Sequence, residues 1–323
     1  MKQNIKTMRD VFIEGLYRKM GQNERIFFLA ADFGSPQLDR LREDFDDRFI
    51  NVGIAEQNLV NIASGLALEG YAVYGYAIAP FLTMRAYEQI RNNLSLLSKA
   101  REVNVNLIGV GAGLSYDVSG PTHHCLEDLS IMRALPNLTV FSPSDWKLTE
   151  AFLDHSLNVK KPKYLRFDGK PLPAIYEQVP SSLLKTGFCE LKPGEEVCLV
   201  STGYMTHSAL AAAQELKTQG IEAGVVDVFM LKPLDEEALS QTLKKYDRLL
   251  TLEEAFIGKG GLDGLIASLL NRRGLKPRVE SMGFEDEYVF EMGGRAYLHK
   301  KMGLEKEHIM EKVRSLIGER SLS

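Results

Sequence analysis

Short apolar runs alternate along the chain with segments in which apolar residues recur every three or four positions. The first kind reads as strand and the second as helix. Residues 25–31 (RIFFLAA), 49–54 (FINVGI), 71–78 (YAVYGYAI), 103–110 (VNVNLIGV), 138–143 (LTVFSP) and 163–167 (KYLRF) are the candidate strands of the first half. A helix-like segment carrying Val11, Phe12, Leu16 and Met20 precedes them. Further helices are expected over 57–69, 82–97, 126–135 and 145–157, the last capped by Ser144. Runs that are apolar throughout belong to strands covered on both faces. Separated by helices, such strands build a mostly parallel sheet.

The pattern weakens over 168–193, where Pro171, Pro173, Pro180 and Pro193 fall, and this stretch reads as a linker. Alternation then resumes with 196–202, a helix over 207–218, 220–228, a helix over 234–244 and 248–254. A glycine-rich turn, 258–264, leads into another helix and a strand over 278–283, and an amphipathic helix over 306–316 ends the pattern. The expected fold class is α/β, in two successive domains with mostly parallel sheets flanked by helices. The expected domains are 1–180 and 181–323.

Composition adds mainly exclusions. A hydrophobic fraction of 45% and a charged fraction of 25% fit a folded globular chain. A net charge of -4 without a basic cluster gives no reason to expect nucleic acid. The first twelve residues lack the apolar core of a signal peptide, and no apolar run is long enough to cross a bilayer. Cys125, Cys189 and Cys198 show neither CxxC nor Cys/His metal spacing, so no metal site is expected in this chain. Three scattered cysteines suit a reducing cytoplasm, the expected location, with no membrane partner.

Three segments could carry chemistry. In Val52-Gly-Ile-Ala-Glu-Gln-Asn58 a carboxylate falls where a strand passes into a helix, the end of a parallel sheet at which ligands bind. A glutamate in a first helical turn is ordinarily a partner of the helix dipole. With Ile54, Ala55, Leu59 and Val60 around it, Glu56 is also placed to share a proton with a ligand nitrogen. In Ser119-Gly-Pro-Thr-His-His-Cys125 two adjacent histidines must point in different directions, so one of them is expected to face a site. Phe81, Met84 and Tyr87 recur at helical spacing, which by itself means core. The turn at 258–264 lacks the dinucleotide and P-loop patterns and is weak evidence for a phosphate loop.

In their order, the segments IAEQN, PFLTMRAYEQ, GPTH, YLRF, VDVFMLKPLD and LLTLEEAFIGKGG resemble the C-terminal half of transketolase and of the related deoxyxylulose-phosphate synthase. The resemblance covers nearly the whole chain, as a pyrimidine-binding domain followed by the family's C-terminal domain. It implies thiamine diphosphate as cofactor. Glu56 resembles the glutamate that bonds N1′ of the aminopyrimidine, so that N4′ can deprotonate the thiazolium. Phe81 resembles the aromatic that stacks on that ring, with Ile54, Met84 and Tyr87 at neighbouring pocket positions. His123 resembles the histidine that bonds substrate oxygens. Arg9 and Arg166 fall where the family places arginines for a sugar phosphate, a fit for an arginine fork.

There are departures. Ser119 stands where transketolases usually carry an aspartate that contacts the donor sugar, and Asp117 is the candidate substitute. A family histidine is replaced by a glycine near Gly111. The family's phosphate-binding serine aligns near Pro36, with Ser35 adjacent. A modified or deoxy sugar is therefore the expected donor. The family's Mg²⁺ ligands come from a GDG…N motif, and no GDG occurs in this sequence. The expectation is a split enzyme, α₂β₂, whose N-terminal, diphosphate-binding subunit supplies the metal ligands, acting by ketol transfer on sugars or sugar phosphates. The rival readings are the β subunit of a 2-oxo-acid dehydrogenase E1 component, a decarboxylating synthase subunit, and a non-catalytic scaffold.

Overall fold

A computed structural model describes residues 4–318. The first half opens with strand β1 (Ile5–Lys6) and helix α1 (Met8–Met20), which Thr7 caps by accepting the Asp10 N–H. Then follow β2 (Ile26–Ala30), α2 (Pro36–Asp44), β3 (Phe49–Asn51), α3 (Glu56–Leu68) and β4 (Ala72–Ile78). Beyond β4 the backbone widens into π-type turns over Phe81–Arg85 and Ile90–Leu96, around a single α-turn, α4 (Tyr87–Gln89). The regular helix expected over 82–97 is thus irregular. Thr83 bonds back to the Ala79 carbonyl at 2.8 Å at its start. β5 (Val105–Val110), α5 (Asp128–Ala134), β6 (Thr139–Phe141), α6 (Trp146–Asn158), β7 (Lys163–Phe167) and β8 (Leu172–Pro173) complete the half. Ser144 does not cap α6. Asp145 does, accepting the Leu148 N–H at 2.9 Å, while Ser144 turns its hydroxyl to Asp227.

Part of the expected linker is ordered structure. β8 pairs with β1, and α7 (Ser181–Thr186) leads into β9 (Phe188–Lys192), an antiparallel edge of the second sheet. The second half continues with β10 (Val197–Ser201), α8 (Met205–Thr218), β11 (Gly224–Val228), β12 (Met230–Lys232), α9 (Glu236–Leu243), β13 (Arg248–Phe256), α10 (Leu262–Arg273), β14 (Arg278–Phe284), α11 (Arg295–Lys301) and α12 (Lys306–Gly318).

The larger sheet runs β12-β6-β7-β5-β4-β2-β3 and the smaller β14-β13-β10-β11-β9. Within these two sheets all pairings are parallel except those of the edge strands β12 and β9, as the unbroken apolar runs implied. Every residue of β5 and β7 is buried, Lys163 included: its ammonium donates to Asn104 Oδ1 and to backbone carbonyls, which offsets part of the burial cost. Strand β12 belongs to the second half by sequence yet extends the first sheet, so the halves share a sheet edge. Among the described residues no helix is long and apolar enough to cross a membrane.

Candidate active site

The parallel strands β2, β3, β4, β5 and β7 end on one edge of the larger sheet, and the chain leaves that edge in loops. Open α/β sheets bind ligands at this edge, because the loops there can splay apart between strands that run in the same direction. Gly53, at φ 73°, turns the chain between β3 and α3 and sets Glu56 at the first position of the helix. Its carboxylate is 3% exposed and lies 2.6 Å from the Arg85 guanidinium, which the widened turn after β4 brings back over α3. Arg85 also lies over the Phe81 ring, 5.0 Å from its centroid, and that ring meets His123 edge-on at 5.2 Å. The Thr122 hydroxyl is 3.0 Å from His123 Nδ1. Glu56, Phe81, Arg85 and His123, from three separate segments, thus make one cluster.

The neighbouring histidine turns inward, as adjacency required. His124 is buried, Nε2 lies 3.3 Å from the Asp117 carbonyl, and burial holds its pKa below the ordinary value. Ile54 is 74% exposed and Met84 42%, large apolar groups held out beside a buried carboxylate. Tyr87 is half-buried and donates its hydroxyl to the Ile131 carbonyl at 2.9 Å. A buried carboxylate, a half-buried aromatic face and exposed apolar flanks fit a flat heteroaromatic ring with a basic nitrogen, which is the pyrimidine half of thiamine diphosphate. Among the described residues no group of three or more His, Cys, Asp or Glu side chains is placed to hold a metal ion.

The other candidates have partners of their own. Arg9 bonds Asp10 through Nε at 2.7 Å and lies beside Tyr76, within an aromatic group in which Phe33 stacks on Tyr76 at 5.1 Å and meets Tyr116 edge-on at 6.3 Å. Ser35, before α2, reaches Gln37 at 3.2 Å. Ser119 is exposed, and its N–H donates to the Tyr116 carbonyl. Gly111, at φ 106°, has the Tyr116 ring 2.4 Å from where a Cβ would stand, so Tyr116 fills this wall.

Arg166 and Asp117 are buried and engaged within the protein. Arg166 is 2% exposed, and its guanidinium is taken up by Asp128 Oδ2 at 2.7 Å and by the carbonyls of Cys125 and Glu254. Its Nε and Nη2 are thus committed inside the protein. Asp117 is buried too, its Oδ2 accepting from Lys170 and the Arg295 N–H and its Oδ1 from Val118. Burial pushes its pKa up, but these donors outweigh burial and hold it below the ordinary value, as a carboxylate already fully engaged. The turn at 258–264 is likewise satisfied internally: Glu253 accepts the N–H groups of Leu262 and Asp263 at 2.7 and 2.8 Å.

Arg85 is the member of this cluster that the sequence did not single out. Its signal was present, one position beyond the Met84 of the aromatic stripe, but only the widened helical turns bring it to Glu56.

Fold and cluster together define a two-domain α/β chain of the thiamine-diphosphate type, presenting the pyrimidine side of a cofactor site. Comparison with known proteins agrees: residues 5–173 match the pyrimidine binding domain of transketolase and residues 189–309 the transketolase C-terminal domain. The chain belongs to the transketolase family, as the section that split transketolases carry on a separate polypeptide. It is 34% identical to one of the subunits of the apulose-4-phosphate transketolase of Actinobacillus succinogenes, over 97% of this chain and 99% of that one. It is 31% identical to a 6-deoxy-6-sulfo-D-fructose transketolase subunit of a Clostridium species, over 94% and 92%. A solved structure described as a split gene transketolase, inactive β4 tetramer, superposes with a TM-score of 0.84 at 31% identity, covering 97% of this chain and 98% of its own.

Proposed function

We propose that this chain supplies the pyrimidine side of the cofactor site in a split transketolase, and that the assembled enzyme moves a two-carbon ketol unit between sugar phosphates. The observation that carries the reading is the buried Glu56 carboxylate at the edge of the parallel sheet, with the Phe81 face and His123 beside it. The subunit names of the two relatives and the inactivity stated for the solved β4 tetramer support a second, diphosphate-binding subunit. To that partner we assign the Mg²⁺ ligands, and to the pair an α₂β₂ assembly. In this reading residues 1–180 present the site and residues 181–323 form the C-terminal domain. Three free cysteines support a cytoplasmic location.

When bound, thiamine diphosphate supplies the carbanion-stabilising chemistry. Glu56 holds a proton at ring nitrogen N1′, Phe81 stacks on the pyrimidine, and Ile54, Met84 and Tyr87 flank it. His123 bonds the oxygens of the donor sugar and moves a proton there. Arg9 takes the substrate phosphate, with Ser35 as a further donor. Ser119 offers a neutral hydroxyl where the resemblance expects a carboxylate. With Asp117 engaged elsewhere, the pocket lacks that charged acceptor, which favours a deoxy or modified donor sugar.

His123→Ala tests the reading. In the complex with the diphosphate-binding subunit, turnover of a ketose phosphate with an aldehyde acceptor is expected to fall by roughly 10²–10⁴-fold. The side chain is half-buried, against the Phe81 edge and beside Thr122, so the melting temperature should hardly move. Full turnover in the variant would remove His123 from the mechanism.

A further inference from the structure

The loop that carries His123 is gripped from outside its own domain. Residues 111–125 close on themselves through Gly113 and Cys125, which exchange backbone hydrogen bonds at 3.2 and 2.9 Å. Inside that closure the loop has two holds on the second half of the chain. The backbone N–H of Leu114 donates to Glu254 Oε2 at 3.2 Å, and the backbone N–H of Arg295 donates to Asp117 Oδ2 at 2.5 Å. Glu254 lies near the end of β13, and Arg295 begins α11. A Cβ on Gly113 would lie 2.1 Å from Glu254 Oε2, so only glycine lets the loop approach so closely.

The two holding residues are themselves fixed. Arg295 pairs with Asp168 at 2.6 Å and with Glu254 Oε1 at 3.2 Å, and its guanidinium lies 4.0 Å over the Tyr204 ring. His299 Nε2 is 2.5 Å from the same Glu254 oxygen. Burial pushes the Glu254 pKa up, but Arg295, His299 and Arg166 together hold it down to about 2. Asp117, Asp168, Glu254, Arg295 and His299 are all buried. Such a buried, connected network gives little net stability over an apolar packing, and what it supplies is a single arrangement of the parts it joins. Here the part joined is the loop that sets His123 against Phe81.

We propose that Glu254 and Arg295 are positioning residues: a clamp through which the C-terminal domain sets the His123 loop for the reaction. The inference rests on the reading that His123 serves the donor sugar. Both are buried, so the role is one of positioning and not of contact with the substrate. The clamp acts by holding Leu114 and Asp117, and so limits where His123 can stand.

Arg295→Met, which keeps the backbone donor to Asp117 but removes the guanidinium that anchors it on Asp168 and Glu254, tests it by two independent readouts. In the purified chain, amide hydrogen exchange across residues 113–124 is expected to rise by about 10-fold or more, while β10 and β11 keep their protection. In the assembled enzyme, turnover on a ketose phosphate is expected to fall by roughly 10-fold, with the affinity for thiamine diphosphate unchanged and Arg295→Lys recovering most of the loss. Glu254→Gln should give the same pattern and replaces Arg295→Met if that variant fails to fold. Unchanged exchange in the loop, exchange that rises equally throughout the C-terminal domain, or a loosened loop with undiminished turnover would each overturn the clamp. Failure of the functional reading looks different: His123→Ala would keep full turnover, whatever Arg295→Met does to exchange.

Discussion

Glu56→Gln is expected to lower the turnover of the assembled enzyme by 10²-fold or more, the loss that follows when a positioned proton donor or acceptor is removed. The amide has nearly the same shape and can still accept a hydrogen bond from Arg85, but it cannot hold and release a proton at a ring nitrogen. The fold should tolerate the change. Arg85 is 42% exposed and can turn its guanidinium to solvent once the carboxylate is gone, so no cation is left buried and alone. Steady-state kinetics at saturating cofactor, with a melting curve on the same preparation, separates the two effects. Full activity in this variant would remove the catalytic reading of the site.

Asp128→Ala is expected to produce the largest loss of stability. Asp128 Oδ2 takes both the Arg166 guanidinium at 2.7 Å and the Tyr164 hydroxyl at 2.6 Å, in a place where all three side chains are buried. Removing it leaves a cation and a hydroxyl buried without their shared acceptor, which costs about 3–5 kcal/mol. For a chain of this size that corresponds to a fall in Tm on the order of 10 °C by calorimetry or circular dichroism. Asp128→Asn keeps one acceptor and should lose less. A change of less than about 2 °C in Asp128→Ala would show that Arg166 does not depend on this carboxylate.

Much of this was legible in the sequence because parallel sheets announce themselves. KYLRF and VNLIGV read as strands covered on both faces, and both are buried along their length. Glu56 was legible for a related reason, since it sits just beyond an apolar run that ends at the ligand-binding sheet edge, and His123 stands on the loop beyond another, whereas Phe81 read as core by its spacing and entered the cluster only through the family resemblance. The fate of the cations was not. Nothing in the spacing of Arg166 shows that Asp128, on α5, will claim it, and Arg85 reaches Glu56 only because the helix after β4 opens into wider turns. The clamp was invisible for the same reason, as it joins Leu114 to Glu254 and Asp117 to Arg295 across 140 and 178 positions of sequence. Local pattern predicts elements and their ends well, but pairings made between domains depend on tertiary packing.

The central claim is that this chain completes only half of a cofactor site. Calorimetric titration of thiamine diphosphate with Mg²⁺ tests it most directly, run on the purified chain and on its mixture with the diphosphate-binding partner. Saturable binding in the mixture, and none in the chain by itself, is the expected result. Equally tight, Mg²⁺-dependent binding to the isolated chain would contradict the claim.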